Sequence, residues 1–370
     1  MALTVFGITL VSFVFAAVLM LTAGLRKTLV ASGSYDNAIV IRQSSSTEIQ
    51  SFVTRYQAGV IQTTPGIAVD AVGQPLVTGE VVVLISKNKK GSNSLANIMV
   101  RGVGPKSFEV HKGVNLIAGR MFEPGKTEIV VGKKINRNFQ GCDIGQSLTF
   151  GMTNWTIVGV FDAGNSSFES EIWGDVDQLM PAFGRPVYSS MTFRMSDPSQ
   201  FDQIRAKIMS DPRMTVDLKR EKKYYDEQSQ STAQFISILG TIISIVFSLG
   251  AIIGAMITMY ASVANRTIEI ATMRALGFRR RNILFSFLIE ALVISMIGGA
   301  LGLLASSFLQ AINISTINWN TFSDLSFGFA LSVRVAIKVM VFALMMGIIG
   351  GFLPAVRASR IKIVDALKAE

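Results

Sequence analysis

Residues 235–260 read FISILGTIISIVFSLGAIIGAMITMY, an unbroken run without one Asp, Glu, Lys or Arg. The hydrocarbon core of a bilayer, roughly 30 Å thick, takes about 20 such residues as a helix. This stretch therefore reads as a membrane span, set at 234–263. Three further runs of the same kind lie around it. Residues 1–25 carry no charge and stop at Arg26 and Lys27. Residues 282–309 are interrupted only by Glu290. Residues 327–353 hold Arg334 and Lys338 near their start, where long side chains can snorkel to the interface. Pro354 is expected to end that last helix. The first run starts without a basic region and is too long for the apolar part of a signal peptide, so it reads as a retained span.

Composition agrees with four spans. The 370 residues are 49% hydrophobic and 16% charged, with a mean hydropathy of +0.44. The net charge of +10 points first to nucleic acid. Its distribution excludes that partner. Residues 26–227 hold 24 basic and 20 acidic side chains, a near balance. The short segment 264–281 alone has five Arg against one Glu. The excess flanks apolar helices, which makes it a topology signal. It places the loop 264–281 and the tail 354–370, with Arg357, Arg360, Lys362 and Lys368, in the cytoplasm. The loop 310–326 has no basic residue and, with 26–227, falls outside.

The inserted region 26–227 alternates strand and helix signals. Ala38–Arg42 reads as a strand, Thr47–Gln62 as a helix and Ile67–Val72 as a second strand. Near the end, Val187–Met195, a helix to Met209 and Met214–Leu218 repeat the order. These halves, about 38–75 and 186–218, form one inner α+β lobe. Between them, about 76–185, lie five strand signals: Val81–Ser86, Asn97–Val103, Thr127–Gly132, Gln146–Phe150 and Trp155–Asp162. They predict a β-rich lobe inserted in the first. Residues 219–233, KREKKYYDEQSQSTA, lack Gly and Pro and extend the second span as a helical stalk. The expected fold class is an α-helical membrane protein: four transmembrane helices with a large inserted extracytoplasmic α+β domain of two lobes.

Catalytic signals are sparse. Gly119–Thr127, GRMFEPGKT, resembles a phosphate loop but has five residues between its glycines where that motif needs four. A strand follows it, where a helix N-terminus should receive the phosphates. It reads as a turn. The single Cys142 and single His111 leave no disulfide within the chain and little basis for a zinc site, and both read as surface or packing residues. No catalytic residues, metal site or cofactor are expected in this chain.

Three spans carry glycines four apart: Gly250/Gly254, Gly298/Gly302 and Gly347/Gly351. Such pairs flatten a helix face and let two backbones approach, within one chain or across a dimer seam. Glu290 lies about 13 Å along its helix from Arg281. An acid at that depth is a candidate functional group, or it meets head groups or Arg280.

Asn265–Gly277 reads NRTIEIATMRALG and is followed by FRRRNILFSFLIEALVISMIGGALG. This closely resembles the loop and third span of the MacB/FtsX-like ABC transporter permeases. The ending GIIGGFLPAVRASRIKIVDALKAE and the segment GRMFEPGKTEIVVGKK…DIGQSLTF…WTIVGVFD are similar to that family too. Ala271 stands where the family has Gly, and Val364 where it has Pro. Only Met1 precedes the first span, where the family commonly carries a basic amphipathic segment.

The resemblance implies a non-catalytic permease subunit in the bacterial cytoplasmic (inner) membrane. A separate ABC ATP-binding subunit, with ATP and Mg, would dock on the loop through Arg266, Glu269, Ile270, Met273, Arg274, Ala275, Leu276 and Gly277. A second permease chain would pair with it as a homodimer or heterodimer, and a membrane fusion protein could join. The complex would transmit ATP-driven motion to the outer domain for export or extraction of lipoprotein, peptide, lipid or drug. The alternative is a transmembrane signalling protein that senses a ligand or regulates a cell-wall enzyme.

Overall fold

The computed structural model describes residues 2–92 and 94–361. Lys362, Lys368 and Val364 lie outside the described residues. The chain divides into two compact units, one of Met1–Gly24, Gln234–Ile312 and Gly328–Glu370, the other of Leu25–Ala233 and Asn313–Phe327.

The first unit contains the four apolar helices: α1 (Ala2–Val30), α7 (Glu221–Asn265), α9 (Arg280–Ser307) and α10 (Val333–Ser359), with a short α8 (Thr267–Ala275) after α7. Each of the four is long and apolar enough to cross a membrane. Helix α7 runs unbroken from Glu221 through the rest of the expected stalk, whereas Lys219 and Arg220 lie in a strand; Glu221–Ala233 belong to the second unit. Ser332 caps α10 by accepting from the Val335 amide. Pro354 does not end α10, as the sequence suggested, but sits inside it, and the helix runs on to Ser359. A proline removes one backbone donor, and a tightly packed transmembrane helix tolerates that loss. Pro354 is itself buried among the helices.

The second unit is built on one ten-stranded mixed sheet. Its strands are β1 (Asn37–Arg42), β2 (Val77–Asn88), β3 (Leu95–Val103), β4 (Asn115–Gly119), β5 (Glu128–Gly132), β6 (Ser147–Phe150), β7 (Thr153–Asp162), β8 (Glu171–Asp175), β9 (Ser190–Arg194) and β10 (Val216–Arg220). The order is β10-β1-β9-β2-β3-β8-β5-β7-β4, with β6 on β7. The long β2 joins the two lobes: Val77–Glu80 pair with β9, and Val81–Asn88 pair with β3. Helices α2 (Arg55–Gln62) and α6 (Phe201–Met209) pack Ala58, Ile61, Ile204 and Ile208 with Val40, Phe193 and Leu218 in the inner lobe's core. Short helices α3 (Ser107–Val110), α4 (Lys133–Asn138) and α5 (Val176–Ala182) complete the unit. The outer lobe has a separate core that includes Trp155, Phe139 and Ile172.

Four expectations change. The helix at 47–62 starts only at Arg55, because Thr54 and Gln57 form a capping box that sets its first turn. Ile67–Val72 is not a strand; Ile67 and Val69 make isolated bridges to Met195 and Pro75. Strands β4 and β8 were not expected. The loop 310–326 holds a hairpin, β11 (Asn313–Ile317) and β12 (Asp324–Gly328). Residues 313–327 of this hairpin belong to the second unit. Lys89 pairs with Asp324, Asn97 donates to the Phe322 carbonyl at 3.0 Å, and the Ser326 amide donates to Ser170 Oγ at 3.3 Å.

Candidate functional site

Helix α8 carries the residues that the loop sequence singled out. It is held on one face only. Ile270 is fully buried in a cluster with Met259, Val263, Ile283, Phe287, Ala355 and Ala358, and Ala271 beside it is fully buried too. Arg274 donates to the Ile361 carbonyl. Arg266, just before α8, pairs with Glu290 of α9 at 3.3 Å. The helix ends in a two-bond stop. Phe278 N–H donates to Met273 O and Gly277 N–H to Arg274 O, with Gly277 at φ +98°. That is the Schellman arrangement, and its left-handed residue favours glycine.

The opposite face is open. Ile268, Met273 and Leu276 are exposed, Leu276 by 76%, and Glu269, Ala275 and Gly277 lie on the surface with them. Ile270 was expected among the docking residues, but the fold buries it, so it anchors the helix instead. Glu269 and Arg274 lie on different faces: Glu269 is exposed, and Arg274 is tied back to the chain. Glu290 meets Arg266, not Arg280. The partner is at the end of α7, 24 positions away in sequence, and so was invisible to a reading along one helix.

The three glycine pairs separate by environment. A Cβ at Gly298 would lie 2.9 Å from Ile8 Cγ2, and one at Gly302 2.7 Å from the Thr9 carbonyl, so this pair holds α9 against α1. At Gly347 a Cβ would lie 2.3 Å from Ser295 Oγ, and at Gly351 2.5 Å from Ala291 Cβ, so this pair holds α10 against α9. At Gly250 and Gly254 it would meet nothing within 4 Å. These two, with Gly7, Leu10 and Phe247, line an apolar groove of about 450 Å³ between α1 and α7.

The phosphate-loop-like stretch is a turn between β4 and β5. Arg120 donates to both oxygens of Glu128 at 2.7 and 2.6 Å and pulls that carboxyl down to about 2. Cys142 is buried in the outer core, and burial pushes its thiol up to about 11. His111 is no bland residue. It is buried between Glu80, at 2.8 Å, and Glu221, at 3.2 Å. Burial alone would push the imidazole down; the two carboxylates outweigh it and hold it at about 10. Among the described residues, no group of three His, Cys, Asp or Glu is placed to hold a metal ion.

The chain matches two domain families: the MacB-like periplasmic core domain over residues 1–210, and the FtsX-like permease C-terminal domain over 241–363. It is 29% identical over 295 residues to the macrolide export ATP-binding/permease protein MacB of Escherichia coli, covering 76% of this chain and 44% of that protein. To MacB of Hahella chejuensis it is 27% identical over 339 residues, covering 85% and 50%. To the ABC transporter permease YvrN of Bacillus subtilis it is 39% identical over 117 residues, covering 32% and 27%. The chain thus spans about half the length or less of these relatives. Among solved structures, the extracellular domain of the transporter YknZ from Gram-positive bacteria aligns with a TM-score of 0.38 at 16% identity, over 50% of this chain and 99% of that one.

Proposed function

This chain belongs to the MacB/FtsX-like family of ABC transporter permeases, and from that premise we propose that it is the membrane subunit through which a partner ATPase moves an extracytoplasmic domain. The observation that carries this reading is α8. It is anchored by Ile270, Ala271, Arg274 and Arg266, and it presents Ile268, Met273 and Leu276 to no other described residue's core. A rigid, one-sided helix suits transmission of force, because a push on its open face moves the span ends to which it is tied.

In this reading ATP and Mg bind in the ATP-binding subunit, and this chain is non-catalytic. The arginines of 264–281 orient the loop to the cytoplasm of a bacterial inner membrane and put the domain 26–227 outside. Two chains pair, in a homodimer or a heterodimer, through the open Gly250/Gly254 face, and a membrane fusion protein can join outside. The names of the MacB relatives support export, and lipoprotein, peptide, lipid and drug are the substrate classes proposed.

Isolation of the tagged chain from native membranes tests the reading. An ATP-binding subunit should co-purify, and ATP turnover should follow that subunit. Turnover that survives removal of every co-purified chain would overturn it.

A further inference from the structure

The second unit buries a chain of charges that the permease reading does not use. Arg101 of β3 is 1% exposed and donates to Glu48 at 2.7 Å, Glu80 at 2.7 Å and Glu171 at 2.8 Å. Glu80 continues to His111, and His111 to Glu221, the first residue of α7. Two positive groups, Arg101 and His111, thus face four buried carboxylates, Glu48, Glu80, Glu171 and Glu221. Buried charge without compensation is costly. Arg194 stands near Glu221 as a third positive group, and the carboxylates still outnumber the cations, which leaves a negative surplus.

A small cavity of about 30 Å³ opens beside this surplus. That is room for one or two water-sized groups. Glu48, Glu171, Arg101, Asn318, Asp324 and Gln228 line it. Arg101 is consumed by its three carboxylates, and Asp324 by Lys89. Gln228 is the informative wall. It is 94% buried, since its exposure is 6%. Its amide nitrogen donates to Tyr224 Oη and the Ser46 carbonyl, both at 2.9 Å, and its side-chain oxygen has no partner. An orphaned buried acceptor beside a negative surplus calls for a positive guest. Tyr224 and Gln228 also line a wider polar pocket of about 400 Å³ with Asp217, Lys219, Glu227 and Ser45.

We propose that the cavity binds one small monovalent metal cation, sodium or potassium. Amide and carboxylate oxygens are hard ligands suited to such an ion. The set lacks the chelating trio that a tightly held divalent ion takes. The cavity joins three segments: Leu29 of α1, Tyr224–Gln228 of α7, and the hairpin residues Asn318–Leu325. All three lie in the second unit, so the ion ties together segments of that unit that are distant in sequence. This inference is independent of the partner ATPase.

Thermal unfolding of the full chain in lipid nanodiscs, followed by tryptophan fluorescence, tests it in sodium, potassium or choline chloride at one ionic strength and pH. With the ion at about ten times its Kd, the melting temperature should rise by roughly 3–5 °C over choline. The sodium and potassium arms tell which ion binds more tightly. Gln228→Leu should bring the curves down to the choline value. Should Gln228→Leu fail to fold, Gln228→Glu, which adds negative charge to the same wall, should widen the difference between metal ion and choline. Identical curves in all three salts would overturn the proposal, as would full ion dependence in Gln228→Leu or an unchanged difference in Gln228→Glu.

Discussion

Replacing Arg101 by Met should unfold the soluble unit more easily than any single loss from its apolar core. The guanidinium reaches Glu48, Glu80 and Glu171 at 2.7–2.8 Å, with all four side chains no more than 6% exposed. Methionine fills much of the volume and leaves three carboxylates without their shared cation. Removing one partner of a buried ion pair costs about 3–5 kcal/mol. Three carboxylates depend on this one, so the upper end applies. For a unit of this size each kcal/mol moves the melting temperature by about 2–4 °C, so the fall should be on the order of 10 °C. The loss should also depend on pH with a defined sign. Burial already holds Glu171 above the usual carboxylate range. Without Arg101 the Glu171 carboxyl would rise further above its unfolded value, and Glu80 would lose one of the two cations that hold it low. The penalty is then present at high pH and is relieved as pH falls and they bind protons. Melting curves of wild type and Arg101→Met in nanodiscs at pH 8 and pH 5, read from the buried Trp155 and Trp173, supply the measurement. A deficit below about 3 °C at pH 8, or one that grows on acidification, would refute the reasoning.

The wild-type chain should itself lose stability toward high pH through His111. Its folded value of about 10 lies above the unfolded 6.5, so its contribution is complete below pH 6.5 and is lost as pH rises toward 10, at up to about 1.4 kcal/mol per pH unit; His111→Gln should flatten that slope in denaturant titrations at pH 7 to 9.5. Gly250→Leu should leave the monomer's melting temperature within about 2 °C while lowering the dimer fraction in native mass spectrometry. Gly347→Leu, where a Cβ meets Ser295 Oγ at 2.3 Å, should instead destabilise the bundle by about 1–3 kcal/mol. Cys142 should resist thiol reagents in the folded chain, whereas Val72→Cys, at a site 83% exposed, should react with a membrane-impermeant maleimide on intact cells; protection until lysis would reverse the orientation.

The spans were legible because nothing but a bilayer helix explains runs of that length without charge. The stalk was legible too, as a polar stretch without Gly or Pro running into an apolar one. Strand β8, EIWGD, was not. It shows no alternation, since all five residues are buried and Glu171 is inside only because Arg101 meets it. Strand β4, NLIAG, is an exposed edge with too little apolar contrast to stand out. The hairpin at 313–328 read as a loop because the contacts that order it come from Lys89, Asn97 and Ser170, far away in sequence. His111 shows the same limit. A lone histidine announces no chemistry, and its partners Glu80 and Glu221 lie 31 and 110 positions away. In α8 the sequence supplied the residues but not which of them face inward. Ile268 and Ile270 are alike on paper, and only the cluster with Met259 and Phe287 decides that Ile270 is the anchor.

The central claim is that the open face of α8 couples this chain to an ATP-binding subunit. Leu276→Glu tests it most directly, because that side chain is 76% exposed and outside the helix's buried anchors. A carboxylate there leaves the fold unchanged but would be buried unpaired in an apolar interface, at a cost of several kcal/mol. Co-purification of the ATP-binding subunit with wild-type and Leu276→Glu chains is the measurement, with an unchanged melting temperature as the check on folding. The account predicts at least a tenfold loss of bound subunit and of the ATPase activity it brings. Binding and turnover equal to wild type in a fully folded Leu276→Glu chain would contradict it.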